Sequence, residues 1–270
     1  MSDVLASAPA AAPALTPGAG DVGRFVYHDL MTPDPAAARR FYEGVAGWTT
    51  APRPDVPVYT DVRAGGRVFG GMVATELAHG VPPHWTSYVA VDDVAAACAR
   101  AAAAGGQVLV PTHPIPDGGG AFAVLRDPAG AVFSVVRFTA DPGPLADDRT
   151  PGGPWWHELL TTDLPRAAAF YAAAFGWEAQ PGMTLPDGQT YHVLHHAGRP
   201  VGGLMRAPCE LPHSAWQLYL AVDDVDAAVE RAVALGGAAA WPAMDVPGVG
   251  RMAGLTDPAG AHVAVGRAAA

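Results

Sequence analysis

His28-Asp29-Leu30-Met31-Thr32 is followed by Asp34, Phe41-Tyr42 and Gly47-Trp48. It returns, 129 positions later, as His157-Glu158-Leu159-Leu160-Thr161, with Asp163, Phe170-Tyr171 and Gly176-Trp177 behind it. Further along, Tyr88-Val89-Ala90-Val91-Asp92-Asp93-Val94 comes back as Tyr219-Leu220-Ala221-Val222-Asp223-Asp224-Val225, and Asp127-Pro128-Ala129-Gly130 as Asp257-Pro258-Ala259-Gly260. A nearly constant offset with one- or two-residue drifts is the mark of a duplicated domain whose loops have changed length. Two copies follow, at 21–138 and 154–267. The stretch between them, 139–153 (TADPGPLADDRTPGG), has the composition of a linker. Residues 1–20 are Ala, Pro and Gly without a period, which predicts a disordered tail.

Each copy repeats a smaller plan. Residues 24–31 read as a strand. Asp34 is placed to cap a helix, Pro35 fits its first position, and Ala38, Phe41, Tyr42 and Val45 recur at helical spacing. Short strands follow near 58–63 and 67–73. The plan restarts at 85–91 with a strand. Asp92 or Asp93 then caps a helix with the apolar stripe Val94, Ala97, Cys98, Ala101, which Gly105-Gly106 ends. Strands near 107–110, 121–126 and 131–137 complete it. The unit is βαβββ, and the same scheme fits 155–204 and 216–266. The expected class is α+β, with four units in tandem.

Composition excludes several functions. The 270 residues carry 16 basic and 26 acidic side chains, a net charge of -10. Every basic residue is Arg, so neither a Schiff-base lysine nor a phosphate-gripping P-loop lysine exists. The acidic balance argues against nucleic acid as a partner. Two cysteines, Cys98 and Cys209, form no disulfide framework or CxxC site; Cys98 belongs to a helical stripe and Cys209 to a Pro-flanked loop. There is no run of 18 apolar residues and no basic residue before Arg24, so neither a membrane span nor a secretory signal is expected, and the predicted location is cytoplasmic.

The order of these motifs, occurring twice, resembles the vicinal oxygen chelate superfamily, which holds glyoxalase I, extradiol dioxygenases, fosfomycin-resistance enzymes and bleomycin-binding proteins. It is closest in pattern to two-domain glyoxalase/bleomycin-resistance-like proteins of high-GC bacteria, often labelled hydroxylases. The resemblance implies two curled, U-shaped mixed sheets with helices on the outside, and a ligand cleft inside each curl. It also implies where metal ligands would stand: Tyr27 and Trp156 on the first strands, Thr86 and Gln217 on the fifth, Ser134 and Ala264 on the last, and Gly70-Gly71 or Gly202-Gly203 at the remaining position. A divalent first-row ion wants three or four His, carboxylate or thiolate donors. Only Gln217 is a plausible ligand among these, through its amide oxygen, so the expected cofactor is none. The alternative is a divalent metal at a relocated site of Glu158, His262 and Gln217.

Strand alternation from these positions predicts inner faces of Tyr27, Asp29, Met31, Thr86 and Tyr88 in the first copy, and Trp156, Glu158, Leu160, Gln217 and Tyr219 in the second. Aromatic walls with a few polar anchors suit a small-molecule pocket. Glu158 and Asp29 are the candidate acid–base groups, and Tyr27, Thr86, Tyr88, Trp156, Gln217, Tyr219 and His262 the candidate ligand contacts. Trp155 and Trp156, being neighbours, are expected on opposite sides of their strand, and Trp85 and Trp216 behind the sheet. The Asp-Pro-Ala-Gly segments are expected to be structural hairpin turns. The expected function is binding of a small apolar or aromatic secondary metabolite without a metal. The alternatives are a metal-dependent lyase, isomerase or oxygenase, and a non-catalytic drug-sequestering protein, for which the negative charge suits a cationic drug. Either a monomer with paired domains or a homodimer is compatible.

Overall fold

A computed structural model describes residues 21–54, 56–75, 81–139, 145–148, 150–185, 187–207 and 212–269; the predicted tail at 1–20 and Cys209 lie outside them. The four units appear in order. The first is β1 (Phe25–Thr32), α1 (Pro35–Ala46), β2 (Thr49–Pro52), β3 (Tyr59–Ala64), β4 (Arg67–Ala74). The second is β5 (His84–Ala90), α2 (Val94–Ala103), β6 (Gln107–Ile115), β7 (Gly120–Arg126), β8 (Val132–Phe138). The third is β9 (Pro154–Thr161), α3 (Leu164–Phe175), β10 (Glu178–Thr184), β11 (Thr190–His196), β12 (Arg199–Arg206). The fourth is β13 (Ala215–Ala221), α4 (Val225–Ala234), β14 (Ala238–Val246), β15 (Gly250–Thr256), β16 (His262–Ala268). They form two mixed eight-stranded sheets, ordered β2-β3-β4-β1-β5-β8-β7-β6 and β10-β11-β12-β9-β13-β16-β15-β14. The sequence reading missed β2, a four-residue edge strand ending in Pro52, because it carries no alternation to detect.

Local chemistry sets the helix ends. Asp34, Asp93, Asp163 and Asp224 each accept the backbone N–H three residues on, at 2.9–3.2 Å. Gly47 and Gly176 close α1 and α3 in the left-handed region, at φ 68° and 67°.

The helices cover one face of each sheet and are also the seam between the domains. One core joins α2 and β7–β8 of the first domain to α3, Leu159, Leu194 and Leu204 of the second. The other joins α1, Leu30, Phe69 and Met72 to α4, Leu218, Leu255 and Val265. Pairing of domains within one chain is therefore built into the fold.

The seam has near-twofold chemistry. Trp48 donates its indole N–H to the Gly152 carbonyl at 2.7 Å, and Trp177 donates to Gly23 at 2.8 Å. In the Asp-Pro-Ala-Gly turns, Asp127 and Asp257 each accept two backbone N–H groups through Oδ1, at 2.8–2.9 Å. Gly130 and Gly260 supply φ near 100° there. The second oxygen of each aspartate accepts a tyrosine hydroxyl from the other domain, Tyr171 for Asp127 and Tyr42 for Asp257. Those hydroxyls accept in turn from Trp216 and Trp85, which lie behind their sheets as expected. Buried at the same seam, His28 stacks on His157 with ring centroids 5.1 Å apart, and Phe25 covers His157 at 4.2 Å. His28 Nδ1 pairs with Ser87 Oγ, while the Nε2 atoms of both rings have no partner.

Candidate functional site

The face of each sheet turned away from the helices carries a carboxyl group held by two tyrosines. In the first domain, Tyr59 donates to Asp29 Oδ1 and Tyr88 to Oδ2, both at 2.8 Å. Tyr59 spends its one proton on Asp29, so Tyr27, 2.7 Å away, must donate to it. In the second domain, Tyr219 donates to Glu158 Oε2 at 2.8 Å. Tyr191 accepts from the Trp156 indole at 2.8 Å, leaving its own proton for its hydrogen bond to Glu158. The two relays, Tyr27→Tyr59→Asp29 and Trp156→Tyr191→Glu158, run the same way on matching strands.

Tyr59 and Tyr191 were absent from the sequence-derived candidates. The duplication holds a signal for them: each precedes, by 12 positions, the glycine that makes room for it. A Cβ on Gly71 would lie 2.1 Å from the Tyr59 ring, and one on Gly203 would lie 1.8 Å from the Tyr191 hydroxyl.

Burial raises the pKa of both carboxyl groups. The tyrosine bonds, and the Gly71 N–H at Asp29, oppose that rise without cancelling it. Burial and the adjacent carboxylate raise the tyrosines as well, so they stay protonated donors. Such a carboxyl can accept a hydrogen bond, and its raised pKa makes it a better proton acceptor than an ordinary carboxylate. Access differs between the copies: Asp29 is 6% exposed with both oxygens engaged, whereas Glu158 is half-buried.

The other predicted residues divide. Thr86 lies opposite Asp29 but pairs with Ser134, hydroxyl to hydroxyl at 3.2 Å, both buried. Gln217 lies opposite Glu158 and donates to the Leu218 carbonyl. His262 is exposed at the start of β16 and pairs with Thr256, outside the relay. Trp155 and Trp156 do not part to opposite sides. Register slips between Trp156 and Pro154, so Trp155 is a bulge residue; it lies against Gly266 and Tyr219, on the same face as Trp156. β1 has the matching bulge, which turns Val26 inward beside Tyr27. Alternation fails wherever a bulge adds a residue, and nothing in the sequence of β9 announces it.

A metal fits this donor set poorly. Among the described residues no group of three or more His, Cys, Asp or Glu converges. The nearest arrangement is Glu158 with Gln217, one carboxylate and one amide.

Residues 24–135 match the family model "Glyoxalase/Bleomycin resistance protein/Dioxygenase superfamily", and residues 156–266 match "Glyoxalase-like domain". The glyoxylase-like protein CFP32 of Mycobacterium tuberculosis is 36% identical over 243 residues, covering 88% of this chain and 92% of the relative. The chain belongs to the glyoxalase/bleomycin resistance/dioxygenase superfamily. The anthracycline biosynthesis protein DnrV of Streptomyces peucetius is 35% identical over 261 residues, covering 90% of this chain and 92% of that protein. Among solved structures, the Mn(II)-bound glyoxalase of Novosphingobium aromaticivorans superposes with a TM-score of 0.61 at 18% identity, covering 91% of this chain and 82% of that one. The 2,3-dioxygenase LapB of Pseudomonas sp. KL28 gives 0.63 at 13% identity, covering 94% and 93%. These two likenesses establish the vicinal oxygen chelate fold. Among the described residues no helix is long and apolar enough to cross a membrane.

Proposed function

We propose that this superfamily member binds a small, largely apolar or aromatic secondary metabolite, and does so without a metal. The observation that carries the reading is the duplicated carboxyl–tyrosine relay. It occupies the inner faces where the family resemblance places metal ligands, and Tyr27, Thr86 and Ser134, or Trp156, Gln217 and Ala264, stand at those positions. Likeness to a protein named for anthracycline biosynthesis supports a metabolite of that general kind. In this reading the aromatic side chains hold the ligand's rings and the carboxyl orients its polar group. If the bound compound reacts, Glu158 is the proton acceptor, steadied by Tyr191 and Tyr219.

Tryptophan fluorescence titrated with a panel of aromatic metabolites, with and without a chelator, tests it. Binding is expected to survive chelation and to weaken in Glu158→Gln. Failure of every compound to bind, or loss of binding on chelation, would refute it. Equilibrium dialysis then separates sequestration, in which the ligand returns unchanged, from turnover.

A further inference from the structure

The two inner faces share a relay but differ in what surrounds it. In the first domain Val26, Tyr88, Ala90, Val136 and Phe138 form a buried cluster, with Tyr27, Ile115 and Phe122 packed on it. That cluster covers the inner face of β1, β5 and β8. Its second-domain counterparts include Trp155 for Val26, Gly266 for Val136, Met252 for Phe122 and Ala268 for Phe138. Ala268 is exposed where Phe138 is buried.

The exchanges come in pairs. Where the first domain has Val26 with Val136, the second has Trp155 with Gly266, and a Cβ on Gly266 would lie 1.9 Å from the indole. Where the first has Val110 directly opposite Val124, the second has Trp241 directly opposite Gly254, with a Cβ again excluded at 2.1 Å from the indole. Twice, two medium side chains have become one large flat one and none. The volume is kept and the shape changes: each indole lies against its glycine, and Trp241 also touches the core shared by α1 and α4.

The Trp241–Gly254 pair starts one row across the sheet, and the Trp155–Gly266 pair lies beside the other end of that row. Trp241 opposes Gly254, Gly254 opposes Ala264, Ala264 opposes Tyr219 and Tyr219 opposes Trp156, in a single row across the sheet. The middle of the row is the small, buried residues Gly254 and Ala264, with half-buried indoles at both ends. Glu158 sits one step along β9 from that row, on the same face.

We infer that the second domain holds the single ligand cleft, and that its ligand is a flat aromatic ring system carrying a hydrogen-bond donor. The rings stack on the Trp–Gly platforms and the donor meets Glu158. The first cleft is closed by its own side chains and supports the fold. This rests on the proposed small-molecule function and narrows it to one cleft and one ligand shape.

The test is titration of the full chain with dihydroxyanthraquinone, a flat fused-ring compound bearing phenol donors. Fluorescence quenching is expected to saturate at one equivalent per chain. The double change Trp241→Val/Gly254→Val installs the pair that the first domain already tolerates, and is expected to weaken binding about tenfold. The isosteric Glu158→Gln should weaken it as well, which keeps the test decisive if the double variant unfolds on heating or by circular dichroism. Phe122→Leu, in the first cleft, should leave the affinity unchanged. Two equivalents bound, full affinity in both second-cleft variants, or a loss confined to Phe122→Leu would overturn the inference. Binding of a non-planar aliphatic compound but not of the anthraquinone would overturn it while leaving the broader function standing; no binding by either would defeat both.

Discussion

The seam and the clefts of this molecule were duplicated together, yet they have diverged to different degrees. At the seam most contacts have a twin: Tyr42 with Asp257 and Tyr171 with Asp127, Trp48 with Gly152 and Trp177 with Gly23, His28 against His157. In the clefts the carboxyl, its two tyrosines and the glycine beside one of them keep their twins, while valine pairs face tryptophan–glycine pairs. Packing against a near-copy of oneself constrains both copies at once. An inner sheet face answers only to what occupies it.

The strongest way to break the comparison is at the seam. Trp177 is fully buried, stacked on Tyr171 and bonded to the other domain. Trp177→Ala should cost about 3–5 kcal/mol, the range for truncating a buried aromatic side chain. Because its core is shared, both domains should lose structure in one denaturant transition. Two separate transitions would mean the seam is not a common core.

The next effect comes from pH. Burial lowers His28 to about 3 and His157 well below 6.5, with His28 and Arg24 adding to the latter shift. The unfolded chain takes up protons below pH 6.5 that the folded chain refuses. Stability is therefore fully present above that pH and falls on acidification, by about 1.4 kcal/mol per pH unit for each histidine until its folded pKa is reached. Denaturant melts between pH 7 and 5 check this, and His157→Phe should flatten the slope. An unchanged slope would place the acid sensitivity elsewhere.

A smaller change sharpens the symmetry itself. Tyr42→Phe and Tyr171→Phe each remove one hydroxyl that joins a turn aspartate to an indole N–H, and each should cost about 1–2 kcal/mol. Near-equal losses are expected, and a clear inequality would show that the twofold likeness of the seam is only geometric. The smallest effect is in the closed cleft. Tyr27→Phe removes the outermost donor of its relay and should cost under about 1 kcal/mol.

Much of this was legible in the sequence because duplication supplies an internal check. The capping aspartates, the helical stripes and the turn role of Asp127 and Asp257 follow from period, offset and turn chemistry, and the inward tyrosines Tyr88 and Tyr219 from alternation counted off the positions that the family resemblance implies. Other features follow from neither. The bulges that turn Val26 and Trp155 inward are one-residue events with no composition of their own. Tyr59 and Tyr191 stand far in sequence from the carboxyls they serve and reach them only through strand pairing. His262 looked well placed by alternation, but it begins its strand, where the side chain meets solvent. The stacked histidines stood in the repeat itself, yet only the seam reveals that they touch.

The shared cores carry one more consequence. In sequence the inherited module is a domain of two βαβββ units, but the body that excludes water is assembled from half of one domain and half of the other. The copied unit and the cooperative unit are therefore offset by half a module. A change behind one cleft is felt first across the seam, in the neighbouring half of the other domain, before it reaches the far arm of its own sheet.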